Sequence, residues 1–386
     1  MGVLDGFEFI LPSRIKYGVG AVKHLGDELR ALGVSRVMVV TDRGIVRAGL
    51  CDRVSGLLRA SGFDYVVYDG VEPNPKDYNV EEAAEEARVS GVDCLVAVGG
   101  GSPIDAAKAV CVLAKQGGKA GDYRGRGTIR GECLPLIAIP TTAGTGSEVT
   151  FSSVITDTKE NFKFTIKSPA IAAKTALVDP ELTLPVPPAV TASTGVDALT
   201  HAIEGYTATV TEPIAEALGL YAVELISKNI REAVANGRSL EARSGMMLGS
   251  LLAGLSFSHS DVASVHCMAE ALGGMYDAPH GLCNAILLPY VMEYNLPDAE
   301  YKYARIARAM GIEERDDRKA AVLCIEAVKS ISRDIGLPGF DSLGVKEEDF
   351  EILSEMSERN LSTGSNPRPI DRAGYLALFK KAYNDR

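Results

Sequence analysis

Val98-Gly99-Gly100-Gly101-Ser102-Pro103-Ile104-Asp105-Ala106-Ala107-Lys108 carries an apolar run into three glycines and then into a stretch of helical character. Without Cβ atoms the glycines let backbone N–H groups approach an anion, and a helix N-terminus adds roughly half a positive charge. The segment therefore reads as strand, pyrophosphate-binding turn and helix. A plainer reading accounts for part of it, since Ser102 as N-cap, Pro103 at N1 and Asp105 at N3 also make an ordinary capped helix. Three consecutive glycines exceed what capping requires.

Outward from this segment, Val37-Met38-Val39-Val40, Tyr65-Val66-Val67-Tyr68, Cys94-Leu95-Val96-Ala97-Val98 and Leu136-Ile137-Ala138-Ile139 alternate with amphipathic stretches over 43–62, 79–91 and 103–117. Continuous apolar runs separated by helical patterns indicate parallel strands covered on both faces. After Ala176-Leu177-Val178 comes a segment with Pro180, Pro185, Pro187 and Pro188, beyond which 3.6-residue periodicity dominates 214–234, 240–255, 318–335 and 372–382. The expected fold class is an α/β N-terminal dinucleotide-binding domain with a mainly parallel sheet, residues 1–180, followed by an all-α C-terminal domain, residues 181–386. Ligands of such sheets lie outside the carboxyl ends of the strands, and a cleft between the two halves is the expected substrate site.

Residues just after the strands fit that expectation. Asp42 follows the first central strand, where a carboxylate accepts ribose hydroxyls and repels a 2′-phosphate, although it equally suits an N-cap for the helix that follows. Thr141-Thr142-Ala143-Gly144-Thr145-Gly146-Ser147-Glu148 packs hydroxyls and glycines into one loop, either a ribose or phosphate contact or a polar turn. Gly18-Val19-Gly20-Ala21-Val22-Lys23 begins like a dinucleotide fingerprint but has Lys23 where the third glycine belongs, so it reads as a tight turn into a helix. No P-loop occurs.

Composition excludes several classes. With 40 Lys and Arg against 51 Asp and Glu, the net charge of −11 argues against a nucleic-acid partner. The opening Met1-Gly2-Val3-Leu4-Asp5 lacks a basic and apolar leader, and no stretch is apolar enough to span a membrane, so a cytoplasmic location is expected. Seven Cys form no CxxC pair and suit reduced thiols.

Only five His occur, at 24, 201, 259, 266 and 280. Asp197 and His201 stand at i and i+4, on one helical face, a bidentate metal spacing that also makes an ordinary Asp–His hydrogen bond. His266 lies in the apolar stretch 262–272, and His280 follows Pro279, which should break the helix. Together they offer one carboxylate and three imidazoles, a set that suits Fe(II) or Zn(II). Cys267 and Cys283 should point away from that face. His24 and His259 read as structural, with His259 a minor candidate.

The chain resembles the iron-containing, or group III, alcohol dehydrogenases, within the superfamily that includes glycerol dehydrogenase and dehydroquinate synthase. The resemblance rests on Gly99-Gly100-Gly101-Ser102 with Asp105 and Lys108, on 141–148, on Gly195-Val196-Asp197-Ala198-Leu199-Thr200-His201-Ala202-Ile203-Glu204, on Ala278-Pro279-His280-Gly281 and on Asn366-Pro367-Arg368-Pro369. It implies a dehydroquinate synthase-like fold and a catalytic metal on Asp197, His201, His266 and His280, iron with zinc as the alternative. It further implies NAD bound by Asp42, Asn74, Gly100, Gly101, Ser102, Thr141, Thr142, Thr145, Lys163 and Leu182, and a substrate pocket with Phe257. Many family members carry a second His four residues after the one at 266; here that position is Glu270, a carboxylate in the pocket whose part in proton movement is open.

The implied activity is reversible hydride transfer between NAD(H) and a small primary alcohol or its aldehyde, by a homodimer or larger homo-oligomer. Two competing readings are a dehydroquinate synthase-like or glycerol dehydrogenase-like enzyme on a polyol, and a non-catalytic NAD or metal sensor. The apolar neighbours of the metal motifs disfavour a multiply charged substrate, and a full ligand set disfavours an inert descendant.

Overall fold

A computed structural model describes residues 6–385, so the reading of the first five residues lies outside the described residues. The described chain forms two compact units. One comprises Ile10–Thr142 and Ser147–Val186; the other comprises Pro187 onward together with Ala143–Gly146 and the residues before Ile10. The first unit runs past residue 180 because Leu182 is packed in the same apolar cluster as Ile139 and Leu177. Asp179 also binds it back, accepting from the N–H groups of Gly20 and Val22 at 3.1 and 3.3 Å.

The α/β unit contains strands β1 (Arg14–Tyr17), β2 (Arg36–Val40), β3 (Asp64–Tyr68), β4 (Cys94–Gly99), β5 (Gly125–Arg126), β6 (Leu136–Pro140), β7 (Ser152–Asp157), β8 (Phe162–Lys167) and β9 (Thr175–Val178). Its helices are α1 (Leu25–Leu32), α2 (Arg43–Arg47), α3 (Leu50–Ala60), α4 (Asp77–Val89) and α5 (Gly101–Gln116). Six strands form one parallel sheet in the order β1-β9-β6-β4-β2-β3. Every residue of β4, β6 and β9 is buried, which is what a sheet covered on both faces demands of its sequence.

From β2 the chain moves outward to β3, then returns to place β4 on the other side of β2. The strand order therefore reverses between β2 and β4, where open sheets leave a crevice at the carboxyl ends of the strands. Asp42 follows β2 and Gly99–Gly101 end β4, so both stand at this switch point. The Thr41 hydroxyl, donating to the Val98 carbonyl at 2.7 Å, ties the two strand ends together.

Three features depart from the sequence reading. The single helix expected over 43–62 is two, α2 and α3, because Gly49 takes a left-handed conformation (φ 75°) between them. Helix α5 starts at Gly101 with Gly100 as its N-cap, so Ser102 lies inside the first turn instead of capping it. Asp105 is accordingly not an N3 residue; its carboxylate accepts from the Ser147 hydroxyl at 2.5 Å and the Val154 N–H at 3.0 Å. Third, β5, β8 and β7 make a small second sheet in which β7 and β8 are antiparallel.

Lys108 is fully buried on α5 and donates to the Ser147 and Thr150 hydroxyls and the Ser152 carbonyl at 2.7–2.8 Å. With Asp105 it fastens α5 to the segment entering β7. Beside it, burial pushes the Glu148 carboxyl up to about 7, against the opposing pull of a backbone hydrogen bond and the Lys108 charge. An unfolded Glu titrates near 4.3, so the folded state holds the extra proton, and stability is highest below that value and falls as pH rises to about 7. Glu148→Gln is expected to remove this slope and to gain on the order of 1–2 kcal/mol above neutrality. Urea unfolding of both proteins at pH 5 and pH 8 checks it, and an equal difference at the two pH values contradicts it.

The second unit contains α6 (Pro188–Thr207), α7 (Pro213–Ala235), α8 (Leu240–His259), α9 (Ser264–Tyr276), α10 (His280–Ala309), α11 (Asp317–Asp334), α12 (Phe350–Glu358) and α13 (Arg372–Asn384). Among the described residues it holds no named strand, as its periodicity indicates. Helix α10 continues through Pro289 and Pro297, so neither proline ends it. Helix α6 is the buried centre, with every residue from Gly195 to Thr207 covered. No helix of the described chain is long and apolar enough to cross a membrane.

Candidate active site

Asp197 and His201 project from one face of α6. Helix α9 contributes His266, and α9 ends at Asp277, whose left-handed conformation (φ 50°) turns the chain into Ala278-Pro279 so that α10 begins at His280. Each of the four residues offers a ligand atom, and these atoms all lie within 4.8 Å of one another. His266 Nε2 and His280 Nε2 stand 4.0 and 3.9 Å from Asp197 Oδ1. The structure thus brings together all four residues singled out for metal binding.

His24, its side chain about half exposed near Asp27, and His259, stacked on Phe9 with ring centroids 3.9 Å apart, are not in the group. Cys267 and Cys283 are buried outside it, and Cys267 Sγ accepts from the Thr363 hydroxyl at 3.6 Å.

The electrostatics favour a cation. Burial pushes the His201 imidazole down to about 4, and the neighbouring His266 adds to this against the opposing Asp197 charge. His201 is therefore neutral at physiological pH, with a lone pair available. Burial would raise the Asp197 carboxyl, but the charges of His201, His280 and His266 and the Asn284 hydrogen bond hold it below the usual range. For His266, burial acts downward and is overcome by the hydrogen bond and charge of Glu204 and by Asp197.

Among the described residues, the ion-pair partners of Asp197 and Glu204 are imidazoles, not lysine or arginine. Asp197, a buried carboxylate amid three imidazoles, makes with them a donor set that a divalent ion completes. Asn284, on α10, supports the same conclusion. Its amide nitrogen lies 2.7 Å from Asp197 Oδ1, 3.0 Å from His266 Nε2 and 3.2 Å from His280 Nε2, three acceptors for two hydrogens, while its buried Oδ1 has no hydrogen-bond partner among the described residues. The residues present fit a metal ion.

Phe257 of α8 stacks on the His201 ring at 4.4 Å and 16°. Glu270, one turn beyond His266 on α9, accepts from the Asn360 amide at 2.6 Å. Sequence reading assigned no role to Asn284 or Glu204. Both carried a signal: Asn284 is four residues after His280, and Glu204 is seven after Asp197, each on the helical face of the residue it follows.

In the α/β unit, a Cβ on Gly100 would meet Thr142 Oγ1 at 3.1 Å, so the turn at the carboxyl end of β4 leaves little room for a side chain. The Thr141 hydroxyl is buried there without a hydrogen-bond partner among the described residues. Gly101 and Ser102 open α5. Asn74, in a left-handed conformation (φ 49°), accepts at its side-chain oxygen from Lys163 Nζ at 2.7 Å. Asp42 caps α2, accepting from the Ile45 N–H at 2.9 Å. Leu182 is fully buried in the apolar core beside the sheet. These features fit a dinucleotide at the switch point.

Thr145 stands in the loop Ala143–Gly146, which packs with the helical unit. A Cβ on Gly146 would fall 2.6 Å from Gly254 Cα, and one on Gly254 2.7 Å from the Gly146 carbonyl oxygen, so loop and α8 touch backbone to backbone. Gly254→Val is expected to cost about 1–3 kcal/mol by forcing them apart. Urea unfolding followed by circular dichroism checks it; a stability within 0.5 kcal/mol of the parent, about the size of an ordinary surface change, contradicts it.

Family models for iron-containing alcohol dehydrogenase match residues 12–180, and for the C-terminal region of the same family residues 191–383. The chain belongs to the iron-containing alcohol dehydrogenase family. It is an alcohol oxidoreductase of the metal-dependent type. It is 42% identical to a choline dehydrogenase of Bacillus subtilis, over 97% of this chain and 95% of that protein. It is 41% identical to a 1,3-propanediol dehydrogenase of Citrobacter freundii, over 98% and 99%. Among solved structures, a 1,3-propanediol oxidoreductase superposes with a TM-score of 0.95 at 40% identity, covering 98% of this chain and 100% of that one. A sulfoacetaldehyde reductase of Bifidobacterium kashiwanohense, in complex with NAD+, superposes at 0.88 with 32% identity over 99% and 100%.

Proposed function

We propose that this iron-containing alcohol dehydrogenase uses NAD(H) to interconvert a small primary alcohol and its aldehyde, with Fe(II) on Asp197, His201, His266 and His280 and Zn(II) as the competing ion. The convergence of one carboxylate and three imidazoles from α6, α9 and α10 in one group carries this reading. A divalent ion bound there supplies Lewis acidity to the substrate hydroxyl, and the nicotinamide ring supplies the hydride acceptor.

The chain's own part is to bind, orient and keep water out. His201 stays neutral through burial and so offers its lone pair at physiological pH. Phe257, stacked on it, fixes the ring plane and gives the alcohol carbons an apolar wall. Glu270, held by Asn360, gives the pocket a polar side. That combination suits an alcohol with a short chain and a polar or cationic second end, in keeping with the names of the choline and 1,3-propanediol relatives.

Backbone N–H groups of Gly100, Gly101 and Ser102 at the start of α5 face the pyrophosphate, where the helix N-terminus favours negative charge. The hydroxyls of Thr141, Thr142 and Thr145 and the Asn74–Lys163 pair contact the remaining polar groups, and Asp42 takes the adenosine ribose. Leu182, part of the core, acts on the cofactor by supporting the sheet. Seven cysteines outside any disulfide, six of them buried, support a reducing cytoplasmic setting, and the family supports a homodimer.

The test strips the protein with a chelator, restores one equivalent of Fe(II) anaerobically or Zn(II), and follows NADH formation with short alcohols, diols and choline. Turnover that depends on the added metal is expected. Bound metal without NADH or NADPH turnover on any alcohol or aldehyde overturns the reading.

A further inference from the structure

Glu204 is buried on α6 and collects three donors on one carboxylate. Oε1 accepts from the Val265 N–H at 2.7 Å; Oε2 accepts from the Ala263 N–H at 2.9 Å and lies 2.5 Å from His266 Nδ1. The first two bonds satisfy N–H groups that the start of α9 leaves unpaired. That alone would make Glu204 a helix cap. The third bond does more, because an ionised carboxylate only accepts, so the proton between it and the ring belongs to Nδ1.

With Nδ1 protonated, the neutral ring of His266 carries its lone pair on Nε2, the atom that stands 4.0 Å from Asp197 Oδ1 and 3.0 Å from the Asn284 amide nitrogen. The opposite tautomer would aim a lone pair at the carboxylate and an N–H at the other ligand atoms. We infer that Glu204 is a positioning residue of the metal centre, setting the tautomer and orientation of His266. It rests on the metal-centre reading proposed above. Because Asp197, His201 and Glu204 follow one another at i, i+4 and i+7, one face of α6 then controls three of the four ligands, two directly and His266 through Glu204.

The inference separates from simple capping by two readouts other than turnover. In metal-free protein labelled with 15N-histidine, at a pH high enough for neutral imidazole, long-range 15N–1H spectra of the parent are expected to show His266 as the Nδ1–H tautomer. Glu204→Ala is expected to lose that preference. In Zn(II) titrations against a competing chelator, Glu204→Ala is expected to bind about 10–100-fold more weakly than the parent. Glu204→Gln, of equal size but with one acceptor oxygen for three donors and no charge, is expected to bind at least about 5-fold more weakly while keeping its circular dichroism, which covers the case that the alanine variant fails to fold.

A cap alone would lower the melting temperature of the metal-free protein and leave the His266 tautomer and the Zn(II) affinity of folded variants at parental values. That result, or a parent whose His266 is the Nε2–H tautomer, overturns the inference. Failure of the parent itself to bind one Zn(II) per chain would instead strike the metal-centre reading, and the tautomer measurement would still decide whether Glu204 orients the ring.

Discussion

His280→Ala is expected to leave a folded protein whose kcat/KM for alcohol oxidation falls by about 1000-fold or more, with metal below stoichiometric. His280 is the most informative of the four proposed ligands to remove. Its side chain is 27% exposed and it is the first residue of α10, so truncation costs little packing, whereas Asp197 is buried on the central helix of its unit. Losing Lewis-acid assistance forfeits several kcal/mol of transition-state stabilisation, and about 4 kcal/mol corresponds to 1000-fold in rate. Metal analysis, circular dichroism and steady-state rates on the same preparation make the check. A folded variant that keeps more than a tenth of the parental rate would remove His280 from the ligand set.

Asp42→Ser is expected to change the NADP-to-NAD ratio of kcat/KM by about 100-fold, in favour of NADP. A carboxylate at the end of β2 accepts ribose hydroxyls through charge-assisted hydrogen bonds, each about 1.5–3 kcal/mol, and repels a 2′-phosphate. Serine weakens the first effect and removes the second. It also keeps the job that the structure already assigns to Asp42, since serine is as good an N-cap for α2 as aspartate. Stability should therefore move little. If the cofactor ratio is unchanged, Asp42 is a cap and nothing more.

Much of this was legible in the sequence because the relevant physics is local. The runs that became β2, β4 and β6 are continuously apolar because a parallel sheet covered on both faces leaves few polar positions; β3, at the sheet's edge, shows a similar run although only Tyr68 of it is buried. Helices α7, α8, α11 and α13 lie close to their periodic stretches, and Pro279 marks the break before α10. The small sheet was missed because β8 alternates apolar and polar residues and β7 holds only Val154-Ile155 between polar pairs, so neither forms a continuous apolar run. The break at Gly49 was missed because a single glycine inside a helical pattern does not announce its sign of φ.

At the site, residues of ligating chemistry were legible and their supports were not. Asp197, His201, His266 and His280 are conspicuous because carboxylate and imidazole are rare in apolar helices. Glu204 reaches a ring 62 positions away and Asn284 a carboxylate 87 away, contacts that depend on how α6, α9 and α10 pack. Asp105 and Lys108 show the opposite error in emphasis. They belong to the glycine-rich motif, yet their side chains fasten α5 to Ser147 and the start of β7.

The most direct test of the account is X-ray absorption at the metal edge on protein loaded with one equivalent of Fe(II) or Zn(II). The account predicts a first shell of nitrogen and oxygen only, at about 2.1 Å for zinc, and an outer-shell pattern of three imidazoles. Sulfur scattering at about 2.3 Å would place Cys267 or Cys283 on the ion and contradict the ligand set of Asp197, His201, His266 and His280.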